Sequence, residues 1–437
     1  MRTLACAVLT ATLLGVFPCA RLTAQPCDPS TGGNGTSTVV ASGIPVPGPM
    51  PRTTADVLQI DCDGVPAIGV TIQITEPPPG TPVRGTIVFS TGDIGVTFFS
   101  SEFFGLPLFQ TLSDLGFRLV DRAWVPGWFS HPVSVRKQSC RYATLLRYVH
   151  DQYHTTGIFG AFGSSGGAAE ISYGLTTWDT DDLLDVAVLG GGPPMTRLDY
   201  FCPQPPTAAW LAQCAQLVPP YLLECSPLQC TGIQVGFGLC QRCSPTATPD
   251  ELREDSILHS DAVLDYPNTR IHVLSGAQDC FDGVPSAMLF YQAITSEKII
   301  EFIPGAPHFV VLTAEGRDSI VRALVGAAAC APIGPASLNA RAWPQLGGTL
   351  ELDGHGRPGE TFFVFGSVTS TTFEIRPFGW LFLGNPFLWG AAPLDASGRG
   401  TLQVPVAPLP ALTGFEVYFQ ALVGPCLSNM ARIEFLP

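Results

Sequence analysis

The chain has 437 residues, of which 46% are hydrophobic and only 13% charged, and its formal net charge is −14. This composition excludes a disordered chain, and the length suits one large domain with a small one beside it. The only lysines are Lys137 and Lys298, and no basic run occurs. Nucleic acids and anionic membranes are therefore excluded as partners, because their phosphates would repel this chain.

The first 24 residues have the features of a secretory signal peptide. Arg2 provides a short cationic start, an apolar run extends from Leu4 to Phe17, and cleavage is expected near Ala24. The run is too short for a spanning helix, and no later run is long and apolar enough to be one. We therefore expect a secreted protein, extracellular or periplasmic; a buried first helix is the less favoured alternative. Residues 25–51 are predicted to form a leader rich in glycine and proline, outside the core.

The cysteines predict a disulfide-containing protein. Two of the 14 leave with the signal peptide, and the twelve that remain are an even number in an oxidising compartment. Six of them crowd one segment: Cys202, Cys214, Cys225, Cys230, Cys240 and Cys243. Their pairing is not predictable from the sequence. A zinc site at the last four is the less favoured alternative, since such sites belong mostly to reducing compartments.

Apolar runs of strand length alternate with longer helical patterns along the chain. Strands are predicted at Val57–Asp61, Ala67–Thr75, Val83–Ser90, Phe117–Ala123, Ile158–Phe162, Leu184–Leu189, Arg270–Ser275 and Ile299–Ile303. Helices are predicted at Ser101–Leu115, Cys140–His154, Gly166–Leu175, Ser286–Ile294 and Thr313–Ala329. Because parallel neighbours need crossover helices, this alternation predicts a mostly parallel sheet covered by helices on both faces.

Two segments break the alternation. Residues 197–266 form an insertion rich in cysteine and proline. Residues 333–437 alternate apolar and polar positions between glycine and proline turns, which predicts a small antiparallel β-module after a large domain at 52–332. Cys330 and Cys426 lie near the two ends of this module and are candidates to join them.

The stretch Gly163-Ser-Ser-Gly-Gly167 lies between a predicted strand and a predicted helix. It matches G-x-S-x-G with Ser165 at the centre, a pattern in which a sharp turn projects the serine hydroxyl clear of the sheet. Only small residues fit two positions before and after such a serine. The helix that begins at Gly166 turns its free amides and positive dipole end toward the same place. Alone, the pattern also fits a tight structural turn, since the chain has 46 glycines.

A serine nucleophile needs a base within hydrogen-bond reach and a carboxylate to orient that base. Asp279 directly follows the predicted strand Arg270–Ser275, and His308 follows the next one. His308 is favoured as the base, because the one later histidine, His355, belongs to the β-module. Asp279 is favoured as the acid over Asp282, because it is nearer the strand end.

With these motifs in this order, residues 57–329 resemble the α/β-hydrolase fold. The resemblance implies an acyl-enzyme mechanism without cofactor, with Ser165 as nucleophile, His308 as base and Asp279 as acid. No metal is expected, because the other histidines are scattered without metal-ligand spacing. It also implies an oxyanion hole made by the amide of Gly166 and one from Gly92 or Asp93, although that loop lacks the family's common His-Gly pattern. The insertion stands where many relatives carry a cap over the site, here expected to be stiffened by disulfides.

Trp124 and Trp128 are candidates to contact substrate, with aromatic packing as the commoner alternative. The β-module resembles one found at the ends of varied secreted bacterial proteins. Two roles are compatible with it: binding to a polymer or surface, or promotion of export or solubility. A small or polymeric ester is the expected substrate; a peptidase of the same fold and a catalytically inactive binding protein are the alternatives.

Overall fold

Nine strands form the central sheet of the computed structural model, in the order β1-β2-β3-β5-β4-β6-β7-β8-β9. The structure describes residues 35–102, 104–131, 133–202, 207–217, 248–279, 283–330, 337–340, 346–375, 379–396, 398–424 and 426–435. The strands of this sheet are β1 Thr36–Pro45, β2 Thr53–Cys62, β3 Val65–Thr75, β4 Gly85–Ser90, β5 Phe117–Val125, β6 Ile158–Ser164, β7 Val186–Gly190, β8 Arg270–Gly276 and β9 Lys298–Ile303.

The predicted strands are confirmed, and their burial explains why the sequence revealed them. Neighbouring strands are parallel in the part of the sheet ordered β5-β4-β6-β7-β8-β9. In the part ordered β1-β2-β3-β5, neighbouring strands are antiparallel. Every residue of β4, β6, β7 and β8 is buried. A strand covered on both faces reads as a continuous apolar run, and this is the pattern that predicted a parallel sheet.

Helices cover both faces of the sheet, as predicted. The helices of the described residues are α1 Gly105–Asp114, α2 Val135–Gln138, α3 Cys140–Tyr153, α4 Gly166–Trp178, α5 Leu198–Phe201, α6 Ala208–Leu217, α7 Pro249–Glu254, α8 Gly283–Ala293 and α9 Ala314–Cys330. Helices α3, α4 and α8 contribute to one hydrophobic cluster, and α1 and α9 to a second. The sheet therefore lies between two separate apolar layers.

The segment predicted to be a leader needs a correction. Thr36–Pro45 forms the edge strand β1, which pairs with β2, so this part of residues 25–51 belongs to the sheet. Its side chains are all exposed or half-buried, and Val40 and Ile44 are among the exposed ones. An edge strand with no buried face shows no apolar alternation, which explains why the sequence did not reveal it. The predicted signal peptide lies outside the described residues.

The insertion at 197–266 contributes three described helices, α5, α6 and α7, with residues 203–206 and 218–247 outside the described ranges. Cys202 and Cys214 are both disulfide-bonded, as the cysteine pattern predicted for this segment. The other four cysteines of the insertion lie outside the described residues. A further disulfide, which no spacing had indicated, joins Cys62 at the end of β2 to Cys140 at the start of α3.

The C-terminal part is an antiparallel β-module with its own core, as predicted. Its described strands are β10 Ser337–Ala340, β11 Thr349–His355, β12 Thr361–Ser367, β13 Thr369–Ile375, β14 Gly379–Gly384, β15 Phe387–Pro393, β16 Arg399–Pro405, β17 Glu416–Val423 and β18 Cys426–Glu434. Helix α9 packs against β14 and β18. The side chain of Cys330 lies outside the described residues, so its pairing with Cys426 stays a prediction. Among the described helices, none has the length and apolar character needed to cross a membrane.

Candidate active site

Ser165 occupies the sharp turn between β6 and α4. Its backbone angles are φ 52° and ψ −114°, a conformation that residues other than glycine rarely adopt. The amide of Ser165 donates a hydrogen bond of 2.7 Å to the carbonyl of Gly190, at the end of the neighbouring strand β7. This bond fixes the turn against the sheet, so the serine is held in its strained conformation by the surrounding structure.

The small residues around Ser165 are required by close backbone contacts. A Cβ on Gly163 would lie 2.4 Å from the backbone of Gly167, and one on Gly167 would lie 2.4 Å from the carbonyl oxygen of Ser90. Real Cβ contacts at such distances do not occur. The G-x-S-x-G pattern is thus a steric necessity of this strand–turn–helix junction, in agreement with the reasoning from sequence.

The structure brings Ser165, His308 and Asp279 into one hydrogen-bonded chain. The Nε2 atom of His308 lies 2.8 Å from Oγ of Ser165, and its Nδ1 atom lies 2.8 Å from Oδ2 of Asp279. With the imidazole protonated at Nδ1, His308 donates to the carboxylate and accepts from the serine hydroxyl. Asp279 has no exposed surface, while Ser165 and His308 are 4% and 5% exposed. The ring thus links a buried carboxylate to a hydroxyl at the edge of solvent.

Adjacent parallel strands bring the acid and the base together. Asp279 follows β8 and His308 follows β9, and the amides of Ala277 and Gln278 donate to the carbonyls of Ile303 and Ala306 across the two loops. The carboxyl ends of parallel strands meet at one sheet edge, where Ser165 also lies. The competing acid, Asp282, lies outside the described residues.

The sheet order, the strained serine turn and the loops that follow β8 and β9 together decide the fold. The chain has the α/β-hydrolase fold. No protein-family model and no curated protein matches the sequence.

Solved structures of the α/β-hydrolase fold resemble this chain at low similarity. Est1E from Butyrivibrio proteoclasticus is 12% identical, with a TM-score of 0.37, 61% of this chain and 98% of that chain being covered. A probable hydrolytic enzyme from Pseudomonas aeruginosa PAO1 is 14% identical, with a TM-score of 0.38 and coverages of 62% and 94%. The esterase domain of a Rhodothermus marinus protein is 11% identical, with a TM-score of 0.33 and coverages of 62% and 96%. The fold assignment rests on the sheet order and the turn, and not on these likenesses.

The loop that follows β4 lies directly against the serine turn. A Cβ on Gly92 would lie 3.2 Å from Cβ of Ser165, and one on Gly166 would lie 2.0 Å from the carbonyl oxygen of Asp93. Asp93 itself has a positive φ of 53°. Among the described residues, the structure shows no backbone acceptor for the amides of Gly166 and Asp93. Both amides therefore lie beside the serine in the region where sequence reasoning expected an oxyanion hole.

The expectation for Trp124 and Trp128 needs a correction. Both rings have no exposed surface and belong to the larger hydrophobic cluster. The indole N–H of Trp124 donates 2.7 Å to Oε1 of Glu170, so its polar edge is already occupied. In this structure the two residues are core residues, which is the packing alternative that the sequence had left open, and neither reaches solvent to contact a substrate.

Sequence reasoning missed two groups of residues near the serine. Phe309 is 37% exposed, follows His308 directly and stacks on Phe104 with ring centroids 6.4 Å apart. An aromatic residue next to the candidate base was the available signal. Arg122 and Glu170 are fully buried and paired beneath the turn. Their signal was a charge inside an apolar strand and another inside a helix of small residues, since charged side chains are rarely buried unless paired.

Proposed function

We propose that the protein is a secreted serine hydrolase that cleaves carboxylic esters through an acyl-enzyme intermediate. Ser165 is the nucleophile, His308 the general base and then acid, and Asp279 the group that orients the imidazole. The observation that carries this proposal is the pair of 2.8 Å contacts that connect Ser165, His308 and Asp279. A serine alcohol is a weak nucleophile at neutral pH, and this arrangement supplies what activates it.

The proposed reaction has two halves. Oγ of Ser165 attacks the ester carbonyl while its proton passes to Nε2 of His308, and the tetrahedral intermediate collapses when that proton is given to the leaving alcohol. Water then attacks the acyl-serine, His308 takes the proton of the water, and the carboxylic acid leaves with Ser165 restored. Asp279 remains ionised throughout and stabilises the imidazolium that forms in each half.

Two backbone amides are proposed to stabilise the oxyanion of each tetrahedral intermediate. The first is the amide of Gly166, at the positive end of the α4 dipole, and the second comes from Gly92 or Asp93. Their support is the close packing of the loop that follows β4 on the serine turn. Backbone donors of this kind are already oriented before the substrate arrives, so they lower the barrier without reorganisation.

Secretion is part of the proposal and has separate support. The first 24 residues have the pattern of a signal peptide. The disulfide between Cys62 and Cys140 and the disulfide-bonded state of Cys202 and Cys214 are a second line of support. Disulfides persist in oxidising compartments and are rare in the cytosol.

The test uses the mature protein with a fluorophosphonate probe and a short-chain nitrophenyl ester. We expect labelling and turnover in the wild type and in Ser164→Ala, and neither in Ser165→Ala. Ser164 is the matched control, because its buried hydroxyl lies one residue from the nucleophile within β6. Labelling with turnover only of peptide amides would contradict the ester assignment, and equal labelling of wild type and Ser165→Ala would contradict the proposed nucleophile.

A further inference from the structure

Arg122 and Glu170 form a buried ion pair directly under the proposed site. Nε and Nη2 of Arg122 lie 3.1 Å and 2.5 Å from Oε2 of Glu170, and neither side chain has exposed surface. Trp124 donates to the other carboxylate oxygen. Arg122 and Trp124 belong to β5, whereas Glu170 lies in α4, five residues after Ser165. The pair therefore connects the strand to the helix whose first turn follows the nucleophile.

The remaining donors of Arg122 bind the loop that follows β4. Nη1 donates to Oγ1 of Thr91 at 3.1 Å and to the carbonyl of Gly95 at 3.0 Å, and Nη2 donates to the carbonyl of Thr91 at 3.1 Å. One guanidinium thus holds the loop at both ends, with Gly92 and Asp93 between the two attachment points. Guanidinium is suited to this role, because its rigid fork presents several donors in one plane.

Further backbone bonds hold the same loop, and one of them is donated by the amide of Trp128, after β5, to the carbonyl of Ile94 at 3.1 Å. The amide of Gly95 donates to the carbonyl of Gly92 at 3.1 Å, and the amide of Trp124 donates to the carbonyl of Gly95 at 2.8 Å. A Cβ on Gly95 would lie 2.4 Å from Nη1 of Arg122, which shows how closely the loop lies on the guanidinium. The donors thus come from β5, from the segment that follows β5 and from the loop itself, and Arg122 supplies the side-chain bonds to Thr91 and Gly95.

We propose that Arg122, anchored by Glu170, is a positioning residue that holds the Gly92–Asp93 amides against the N-terminus of α4 and so maintains the oxyanion hole. This inference rests on the proposed function, because an oxyanion hole has a role only if Ser165 is the nucleophile. Arg122 itself touches neither Ser165 nor His308, so its role is one of positioning. Burial of an ion pair is costly unless its charges are well paired, and replacement by apolar residues is often neutral for stability. Within the described ranges, the N–H groups of the buried Arg122 donate only to this loop and to Glu170 of α4. This is the arrangement that a positioning role requires.

The test compares Arg122→Lys with Arg118→Lys. Arg118 is the matched control, because it lies on the same strand and pairs with Glu76 at 2.8 Å, away from the loop. Lysine keeps the charge but has no fork, so it cannot hold Thr91, Gly95 and Glu170 together. We expect kcat per probe-titrated site to fall about 100-fold in Arg122→Lys, with KM changed less than about threefold. The Ki of a trifluoromethyl ketone should rise in parallel, and the pH profile of kcat/KM should keep its midpoint.

A second readout does not depend on turnover. Hydrogen exchange of the Gly95 and Trp124 amides should accelerate at least about tenfold in Arg122→Lys and stay unchanged in Arg118→Lys. If Arg122→Lys does not fold, Thr91→Val, which removes one acceptor of Nη1, takes its place with the same expected direction.

The outcomes separate the two proposals. A kcat per titrated site within about threefold of wild type, or unchanged exchange at Gly95, overturns the positioning role whatever happens to the melting temperature. If the wild type itself shows neither labelling nor turnover, the proposed function fails. In that case the hydrogen-exchange rates of the Gly95 and Trp124 amides still test whether Arg122 holds the loop: faster exchange in Arg122→Lys supports it, and unchanged exchange overturns it.

Discussion

Ser165 has a backbone conformation that serine rarely adopts, and neighbouring residues hold it in place. Its amide is bonded to Gly190, and two glycines leave space for the crossing of strand, turn and helix. The glycine spacing made this turn predictable from sequence. The proposed second oxyanion donor has a weaker sequence signal, because the loop after β4 lacks the usual motif and its bonds to Arg122 come from a different strand.

Asp279 is expected to act through the orientation of His308. Replacement of Asp279 by Asn leaves the shape intact but favours the wrong imidazole tautomer, and kcat should fall by about 10⁴-fold. Asp282→Asn is the control, since Asp282 is the competing carboxylate three positions later in the sequence. Steady-state kinetics on a nitrophenyl ester measure both. A larger loss in Asp282→Asn than in Asp279→Asn would reverse the assignment.

Gly283 leaves the space in which the acid meets the base. A Cβ at this position would lie 2.1 Å from Oδ2 of Asp279 and 3.2 Å from Nδ1 of His308. We expect Gly283→Ala to lower kcat by about tenfold or more while the protein stays folded, because the carboxylate must move away from the ring. Gly305→Ala is the control, since nothing lies within 4 Å of its added Cβ, although its φ of 66° adds backbone strain. Equal kcat in Gly283→Ala and wild type would refute this steric argument.

At the scale of elements, the sequence predicted the parallel strands and the long helices, because each had a buried face that left an apolar pattern. It did not predict β1, whose side chains face solvent. It also offered Trp124 as a candidate to contact substrate, with packing as the commoner alternative, because an aromatic residue near a strand end gives the same sequence pattern whether it faces a pocket or a buried carboxylate. The hydrogen-bond acceptor of the Trp124 indole, Glu170, belongs to a different element, and local sequence patterns do not indicate contacts between distant elements.

The disulfide between Cys62 and Cys140 joins β2 to α3 across 78 residues. Closing a loop of this length restricts the unfolded chain, so the double variant Cys62→Ser/Cys140→Ser should lose about 2–4 kcal/mol of unfolding free energy. Urea unfolding measures this difference. Neither cysteine contacts the candidate triad, so kcat per titrated site should remain as in the wild type; an unchanged urea midpoint would contradict the stabilising role.

At the scale of the whole molecule, stability should depend on pH through Asp121. This residue of β5 is 1% exposed and accepts hydrogen bonds from the amides of Phe99 and Ser100. Burial raises the pKa of Asp121 to about 6, against the lowering effect of those amides and of Arg122. A raised folded-state pKa favours the protonated form in the folded protein, so this contribution is fully present below about pH 4 and is lost as the pH rises through about 6.

Comparison with Asp121→Asn isolates that contribution. From pH 7.5 to 4.5 the wild type should gain about 2 kcal/mol of unfolding free energy relative to the variant, whose amide does not titrate. Urea unfolding at both pH values gives the difference. Parallel changes in the two proteins would show that Asp121 does not titrate in this range.

Ser165 and His308 are proposed to act as one unit, and the most direct test is whether the losses of activity on replacing each residue are non-additive. Ser165→Ala, His308→Ala and the double variant should leave the same residual ester hydrolysis within about threefold, because removing either partner already abolishes the shared step. Active protein is quantified by its folded fraction. Independent losses that multiply in the double variant, or full turnover in His308→Ala, would contradict a shared catalytic step.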